Sequence, residues 1–146
     1  MSQEILRRAL DSDAEELARL TSQLGYPSSQ AVIRARLARM LPSSNDCLLV
    51  VESSAGELMG WIHGFLSQFL ESDYRVEIGG LIVDDRCRRK GIGRQLVRAV
   101  EVWASERGAV ELSVRCREDR AESHRFYESL SFKHRKTQRV FRKRIG

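Results

Sequence analysis

The 146-residue chain contains no apolar run approaching the ~20 residues that a helix needs to cross a bilayer. Its N-terminus has no basic segment followed by an apolar core. The sequence therefore reads as soluble and cytoplasmic, with no membrane partner. Cysteine is scarce and odd in number. Cys47, Cys87 and Cys116 lie far apart, which argues against a disulfide framework or a zinc ribbon. Of these thiols only Cys87 is unusual, because flanking Arg86 and Arg88 could lower its pKa, although a tolerated loop residue is the preferred reading. His63, His124 and His134 lack the close spacing of metal ligands, so no metal is assigned. Repeats and low-complexity segments are absent as well.

At 42% hydrophobic residues, this length suits a single compact domain spanning 1–146. The formal net charge is +5, with Arg34, Arg36 and Arg39 on one expected helix and a basic cluster from Arg135 to Arg144. Such charge is compatible with nucleic acid. Without a recognisable binding motif, its dispersal over helix and strand faces favours solvated surface, and a nucleic-acid partner is disfavoured.

The most informative segment is Arg88-Arg89-Lys90-Gly91-Ile92-Gly93. The strand-like run Val76–Val83 precedes it, broken by the pair Gly79-Gly80, which marks a bulge or a close backbone approach. A helix follows, with Ile92, Leu96, Val100 and Ala104 at four-residue spacing and Gly108 in the position of a C-terminal cap. The first amides of a helix have no intrahelical acceptor, the helix dipole is positive there, and glycine lets backbone N–H groups approach an anion. Strand, loop and helix together describe a pyrophosphate cradle. A P-loop would need a Gly-Lys-Ser/Thr ending, and the dinucleotide fingerprint a third glycine where Leu96 stands, so neither fits.

These residues resemble the central motif of the GNAT superfamily of acyl-CoA-dependent N-acetyltransferases, Arg/Gln-x-x-Gly-x-Gly/Ala, with Arg88, Gly91 and Gly93 at its fixed positions. A second segment, Ser123 to Phe132, is similar to the family's Phe-Tyr-x-x-x-Gly-Phe ending. Ser131 replaces the usual glycine there, and Arg120 stands where many members carry asparagine. Weaker similarity to aminoglycoside 6′-N-acetyltransferases lies in Val100 to Ala104 and Val140 to Lys143. The resemblance implies an α/β (α+β) fold: a mixed, mostly antiparallel central sheet, splayed between its fourth and fifth strands, with helices on both faces.

The residue pattern predicts a strand at Ile5–Ala9 and a helix start at Asp13 with Glu16. It then gives a second helix capped by Ser28 or Ser29 and a hairpin of Cys47–Val51 with Leu58–Phe65. Further strands are expected at Arg75–Val83, Glu111–Cys116 and Thr137–Phe141.

By resemblance the co-substrate is acetyl-CoA. The backbone of Leu81, Ile82 and Val83 would meet its pantetheine arm, and Arg88, Arg89, Lys90, Gly91, Ile92, Gly93 and Arg94 its pyrophosphate. Ser123 joins this cofactor-binding set. Tyr127 is the expected general acid and Glu77 the expected base, with His63 a weaker alternative. The reaction implied is direct transfer of acetyl to a primary amine of a small molecule, an aminoglycoside being one acceptor. A non-catalytic acyl-CoA-binding sensor and a peptide or protein N-acetyltransferase are the alternatives. Acceptor pockets would form around Tyr26-Pro27, Leu66 to Tyr74 and Lys133 to Gln138, and the family's frequent dimerisation admits a homodimer.

Overall fold

The apolar runs pair into one mixed sheet. In the computed structural model, which describes residues 3–146, the chain divides into two compact units, one ending at Val114 and the other beginning at Arg115. The first unit contains β1 (Ile5–Arg8), α1 (Ala14–Gln23), α2 (Gln30–Met40), β2 (Asp46–Glu52), β3 (Leu58–Ser67), β4 (Arg75–Val83), α3 (Ile92–Glu106) and β5 (Glu111–Val114). Strand order follows chain order, with antiparallel pairing from β1 to β4 and a parallel β4–β5 pair. The expected mixed, mostly antiparallel sheet is therefore present, and helices cover both of its faces.

Alternation along the strands assigns those faces. Leu48 and Val50 point with Trp61 and Ile82 into a core built by Leu17, Leu20, Ile33 and Leu37 of α1 and α2. On the opposite face α3 lies against glycines. A Cβ on Gly60 would sit 3.2 Å from Cγ2 of Ile92, and one on Gly64 would sit 2.8 Å from Cγ1 of Val100. The missing side chains let α3 approach the sheet, where Ile92, Leu96, Val97 and Val100 are at most 2% exposed. Complete burial of a Leu or Ile contributes about 1.5–3 kcal/mol, more than helix propensity supplies, so these stripes decide where the helices dock.

Local signals act as the sequence suggests in two helices and differently in a third. The Ser29 hydroxyl accepts from Val32 N–H at 3.2 Å and caps α2. Gly108, at φ +79°, ends α3, and Ala109 N–H donates back to Ala104 O at 3.0 Å. Asp13 does not cap α1. Its carboxylate accepts from Leu10 N–H at 2.7 Å and takes both Arg7 guanidinium nitrogens at 2.8 and 2.9 Å. Burial is the largest single influence and raises its pKa, but the Arg7 guanidinium and the Leu10 amide together outweigh it and hold the carboxyl below its usual range.

The second unit carries α4 (Ala121–Ser129). Its tail corrects one expectation: no strand forms over 137–141, where Val140 is 64% and Phe141 85% exposed. Alternating residues become a strand only beside a partner edge, and nothing within this unit offers one. β5 likewise ends at Val114 instead of Cys116. After α4, Ser131 adopts φ +73°. A residue with a Cβ pays about 1 kcal/mol in that left-handed region, which explains why the similar sequences favour glycine there.

Two substitutions should move stability in opposite directions in urea unfolding. Gly64→Ala, which forces a methyl group against Val100, should cost about 1–3 kcal/mol. Ser131→Gly should gain about 0.5 kcal/mol, the relief of strain exceeding the added freedom of the unfolded chain.

Candidate functional site

The site begins where β4 leaves the sheet. Asp84, only 1% exposed, terminates the strand, and its amide donates to Met59 O at 2.8 Å. One carboxylate oxygen accepts from Arg19 Nη1 at 2.7 Å and Arg86 Nη2 at 3.0 Å. The other accepts from the Arg86 backbone N–H at 3.0 Å and so caps a 3-10 turn, Asp85–Cys87. The Arg86 guanidinium, with that amide and Arg19, holds the Asp84 carboxyl well below the carboxylate range against the opposing effect of burial. Arg19 extends the network, bonding Glu16 through two nitrogens at 2.8 and 3.0 Å and donating to Leu58 O at 3.0 Å. Glu16 in turn accepts from Leu58 N–H at 2.9 Å. One buried carboxylate thus ties the end of β4 to α1 and to the start of β3.

Beyond this anchor the loop turns left-handed twice. Arg89 adopts φ +67° and Gly91, the residue capping α3, φ +78°. A Cβ at Gly91 would meet nothing within 4 Å, so glycine is required there by the backbone angle and not by crowding. No side chain caps α3, and its ladder opens with Gln95 N–H donating to Gly91 O at 3.0 Å. The amides of Ile92, Gly93 and Arg94 precede that bond, which leaves a cluster of donors at the positive end of a 15-residue helix. Arg88, Arg89, Lys90 and Arg94 are exposed around it, and Arg88 pairs with Asp85 at 3.1 Å. Ile92 and Gly93 are buried.

Leu81, Ile82 and Val83 stand just upstream. The parallel ladder with β5 stops at the Ile78–Val114 pair, so residues 79–83 continue with no β5 partner on that side. Their other edge is held by β3, through Leu81–Ile62, Ile82–Trp61 and Val83–Gly60. The expected separation of β4 from β5 therefore has a definite start. Its backbone groups on the open side can accept an extended ligand as a strand would.

The glycine pair forms the bulge that the sequence suggested. His63 pairs with Gly80 and Gly64 with Ile78, so Gly79 is the extra residue of β4. A Cβ on Gly79 would lie 3.0 Å from His63 Nδ1, and one on Gly80 would lie 2.7 Å from Trp61 Cη2. His63 Nε2 is hydrogen-bonded to Asp46 Oδ1 at 2.7 Å, and its Nδ1 faces Gly79. Glu77 pairs with Phe65 across β3–β4 and lies on the same face as His63 and Gly79. Both proton-handling candidates thus occupy one sheet face beside the bulge, whereas the cradle residues lie at the far end of β4.

Tyr127 and Ser123 belong to α4 in the second unit, and both are half-buried. The Tyr127 ring packs edge-on against Phe126 and Phe132, with centroids at 5.0 and 5.3 Å. Burial, with a smaller contribution from Cys116, raises its phenol above the usual tyrosine value and keeps it protonated at neutral pH. Cys87 accords with the preferred reading of a loop residue without thiolate character: burial and the Asp84 charge raise its pKa despite the neighbouring cations. The Asp84 network and the Asp46–His63 pair were not visible in the sequence.

A strand that outlasts its parallel neighbour thus leads through a left-handed turn into a helix N-terminus with no side-chain cap. A model of the Acetyltransferase (GNAT) family matches residues 11–132, and the chain belongs to that family. No curated protein matches it in sequence. Among solved structures it is similar to the aminoglycoside 6′-N-acetyltransferase AAC(6')-Ih from Acinetobacter baumannii, at 19% identity and TM-score 0.87, covering 99% of this chain and 100% of that one. The aminoglycoside N-acetyltransferase AAC(6')-Iy in complex with CoA gives TM-score 0.89 at 19% identity, covering 99% and 97% of the two chains. Glucosamine-6-phosphate N-acetyltransferase from Arabidopsis thaliana gives 0.84 at 19%, covering 96% and 98%. At these identities the likeness establishes the fold.

Asp84→Asn should destabilise the protein by about 2 kcal/mol at pH 7, since it removes the buried charge that joins Arg19 to Arg86 and leaves each with a single carboxylate partner, Glu16 and Glu57. A carboxyl lowered by folding contributes stability that is whole above its unfolded value, about pH 4, and is lost as the pH falls below it. The gap between wild type and variant should therefore narrow from pH 5 downward in urea titrations. Gly91→Ala should cost about 1 kcal/mol through its backbone angle.

Proposed function

We propose that the chain is an acetyl-CoA-dependent N-acetyltransferase acting on a primary amine of a small molecule, as a single catalytic domain spanning 1–146. The observation that carries this reading is the continuity of the open β4 edge at residues 79–83 with the uncapped α3 N-terminus. That combination suits an extended arm ending in a pyrophosphate. The family match across 11–132, which spans most of the first unit and continues into the second through residues 115–132, supports treating the two as one functional domain.

In this reading Leu81, Ile82 and Val83 supply backbone bonds to the pantetheine arm. The amides from Arg88 to Arg94 hold the pyrophosphate, with Arg88, Arg89 and Lys90 adding charge, and Ser123 completes the binding set. The thioester supplies the acetyl group and a thiolate leaving group. The acceptor is an ammonium at neutral pH and must lose a proton before its nitrogen attacks. Glu77 is the proposed base, and the Asp46-oriented His63 lies on the same sheet face to relay that proton. The N–C bond then forms as the C–S bond breaks, Tyr127 gives its phenolic proton to the sulfur, and the second proton shed by the acylated nitrogen passes through solvent to restore the phenol. No acyl-enzyme is required, because holding the two reactants together already supplies a large rate term.

Incubation with acetyl-CoA and a panel of aminoglycosides, polyamines, amino acids and peptides, read by mass detection of free CoA and product, tests the proposal. Turnover on one amine class is expected, with Tyr127→Phe lowering kcat about 100-fold while acetyl-CoA still binds. Binding without turnover on any amine would reduce the protein to an acyl-CoA sensor.

A further inference from the structure

The α1–α2 connection, residues 24–29, faces the glycine bulge across a cavity of about 580 Å³. Its lining includes Tyr26 and Pro27 on one side, Trp61, Gly79 and Gly80 on the other, and Arg36 from α2. The volume is that of a small-ligand pocket. Among the described residues that line it, Arg36 is the one charged side chain, and no carboxylate lines it. Arg36 makes no ion pair or hydrogen bond with the described residues, unlike Arg7, Arg19 and Arg86, whose guanidinium groups are all engaged. Trp61, on the opposite wall, carries a buried indole N–H that has no acceptor among the described residues.

The proton-accepting groups lie at the other end of this charge pattern. Gly79 lines the cavity, and the space its side chain would fill abuts His63 Nδ1, with Glu77 two residues along the same face. A ligand spanning the pocket therefore reaches from the glycine bulge, beside which His63 and Glu77 lie outside the lining, to the Arg36 guanidinium at α2. A polycation would place positive charge against Arg36 with no carboxylate in the lining to offset it.

We propose that this cavity is the acceptor site and that its substrate is a dipolar amine: a primary amine carrying a carboxylate or phosphate held by Arg36. The proposal rests on the acetyltransferase reading and deepens it. Charge-assisted bonding to a guanidinium is strong enough to set the preference, and the aromatic walls of Tyr26 and Trp61 suit a substrate with an apolar or ring-shaped body.

Two matched pairs of acceptors test it: phenylalanine against phenylalaninamide, and glucosamine 6-phosphate against glucosamine, with the aminoglycoside neamine as the polycation. In each productive pair the anionic member should show a kcat/KM at least about 10-fold higher, carried mainly by KM, and the pair that responds tells carboxylate from phosphate. Arg36→Gln should bring the ratio near one, while Arg34→Gln, on the same exposed helix but outside the lining, should leave it unchanged. Faster turnover of neamine or of the neutral members, or an anionic preference that survives Arg36→Gln, would overturn the proposal and leave the transferase standing. Calorimetric titration of the same compounds without acetylation separates the two claims. Anion-selective binding lost in Arg36→Gln, with no acetyl transfer, would keep the pocket assignment and remove the transferase. Failure of every compound both to bind and to react would overturn the pocket assignment.

Discussion

The position of the loop between β4 and α3 depends on one buried carboxylate. Asp84 stands where β4 must stop and the chain must turn toward α3, and it is 1% exposed. An isolated charge there would be costly, and the two guanidinium groups, the backbone N–H of Arg86 and the cap on the following turn make it tolerable. Because Arg19 comes from α1 and also bonds Glu16 and Leu58 O, the anchor links three elements that meet nowhere else in sequence. Such pairs add little net stability compared with an apolar core. What this one supplies is a fixed direction for the chain between residues 84 and 91.

Glycine works within β3 and β4 by removing bulk. Gly60 and Gly64 bring α3 onto the sheet, and Gly79 and Gly80 let Trp61 and His63 lie over the β4 backbone. The bulge matters because both of its residues present their missing side chains to one face. It opens a cavity where a regular strand would have placed a Cβ against His63 Nδ1. Packing on the α3 side and an open pocket on the α1–α2 side thus come from glycines on two adjacent strands.

Features encoded by adjacent residues were legible in the sequence. The fourth strand, the anion loop, the Ser29 cap and the Gly108 ending each depend on a few consecutive side chains, and each stands where the pattern put it. Features that depend on residues far apart were not legible. Asp84 meets Arg19 across 65 positions, and Asp46 meets His63 across 17, so a linear reading offers no reason to pair them. Asp13 marks the start of α1 as its spacing to Glu16 suggests, yet Arg7 and Leu10, and not the first turn of the helix, claim its oxygens. The alternation at 137–141 failed for a related reason, because a strand needs an edge to pair with. The departure at Ser131 was visible, and only the backbone angle shows what it costs. The roles of Tyr127, Glu77 and the cradle residues come from the resemblance together with their chemistry.

The central claim is that the β4 edge and the α3 N-terminus bind the arm and the pyrophosphate of one ligand. Calorimetric titration of the protein with acetyl-CoA and, separately, with S-acetylpantetheine, which lacks every phosphate, tests it most directly. The account predicts saturable one-to-one binding of acetyl-CoA and affinity for S-acetylpantetheine at least about 100-fold weaker, the difference being carried by the anion loop. Equal affinity for the two, or no binding of acetyl-CoA at all, would contradict it.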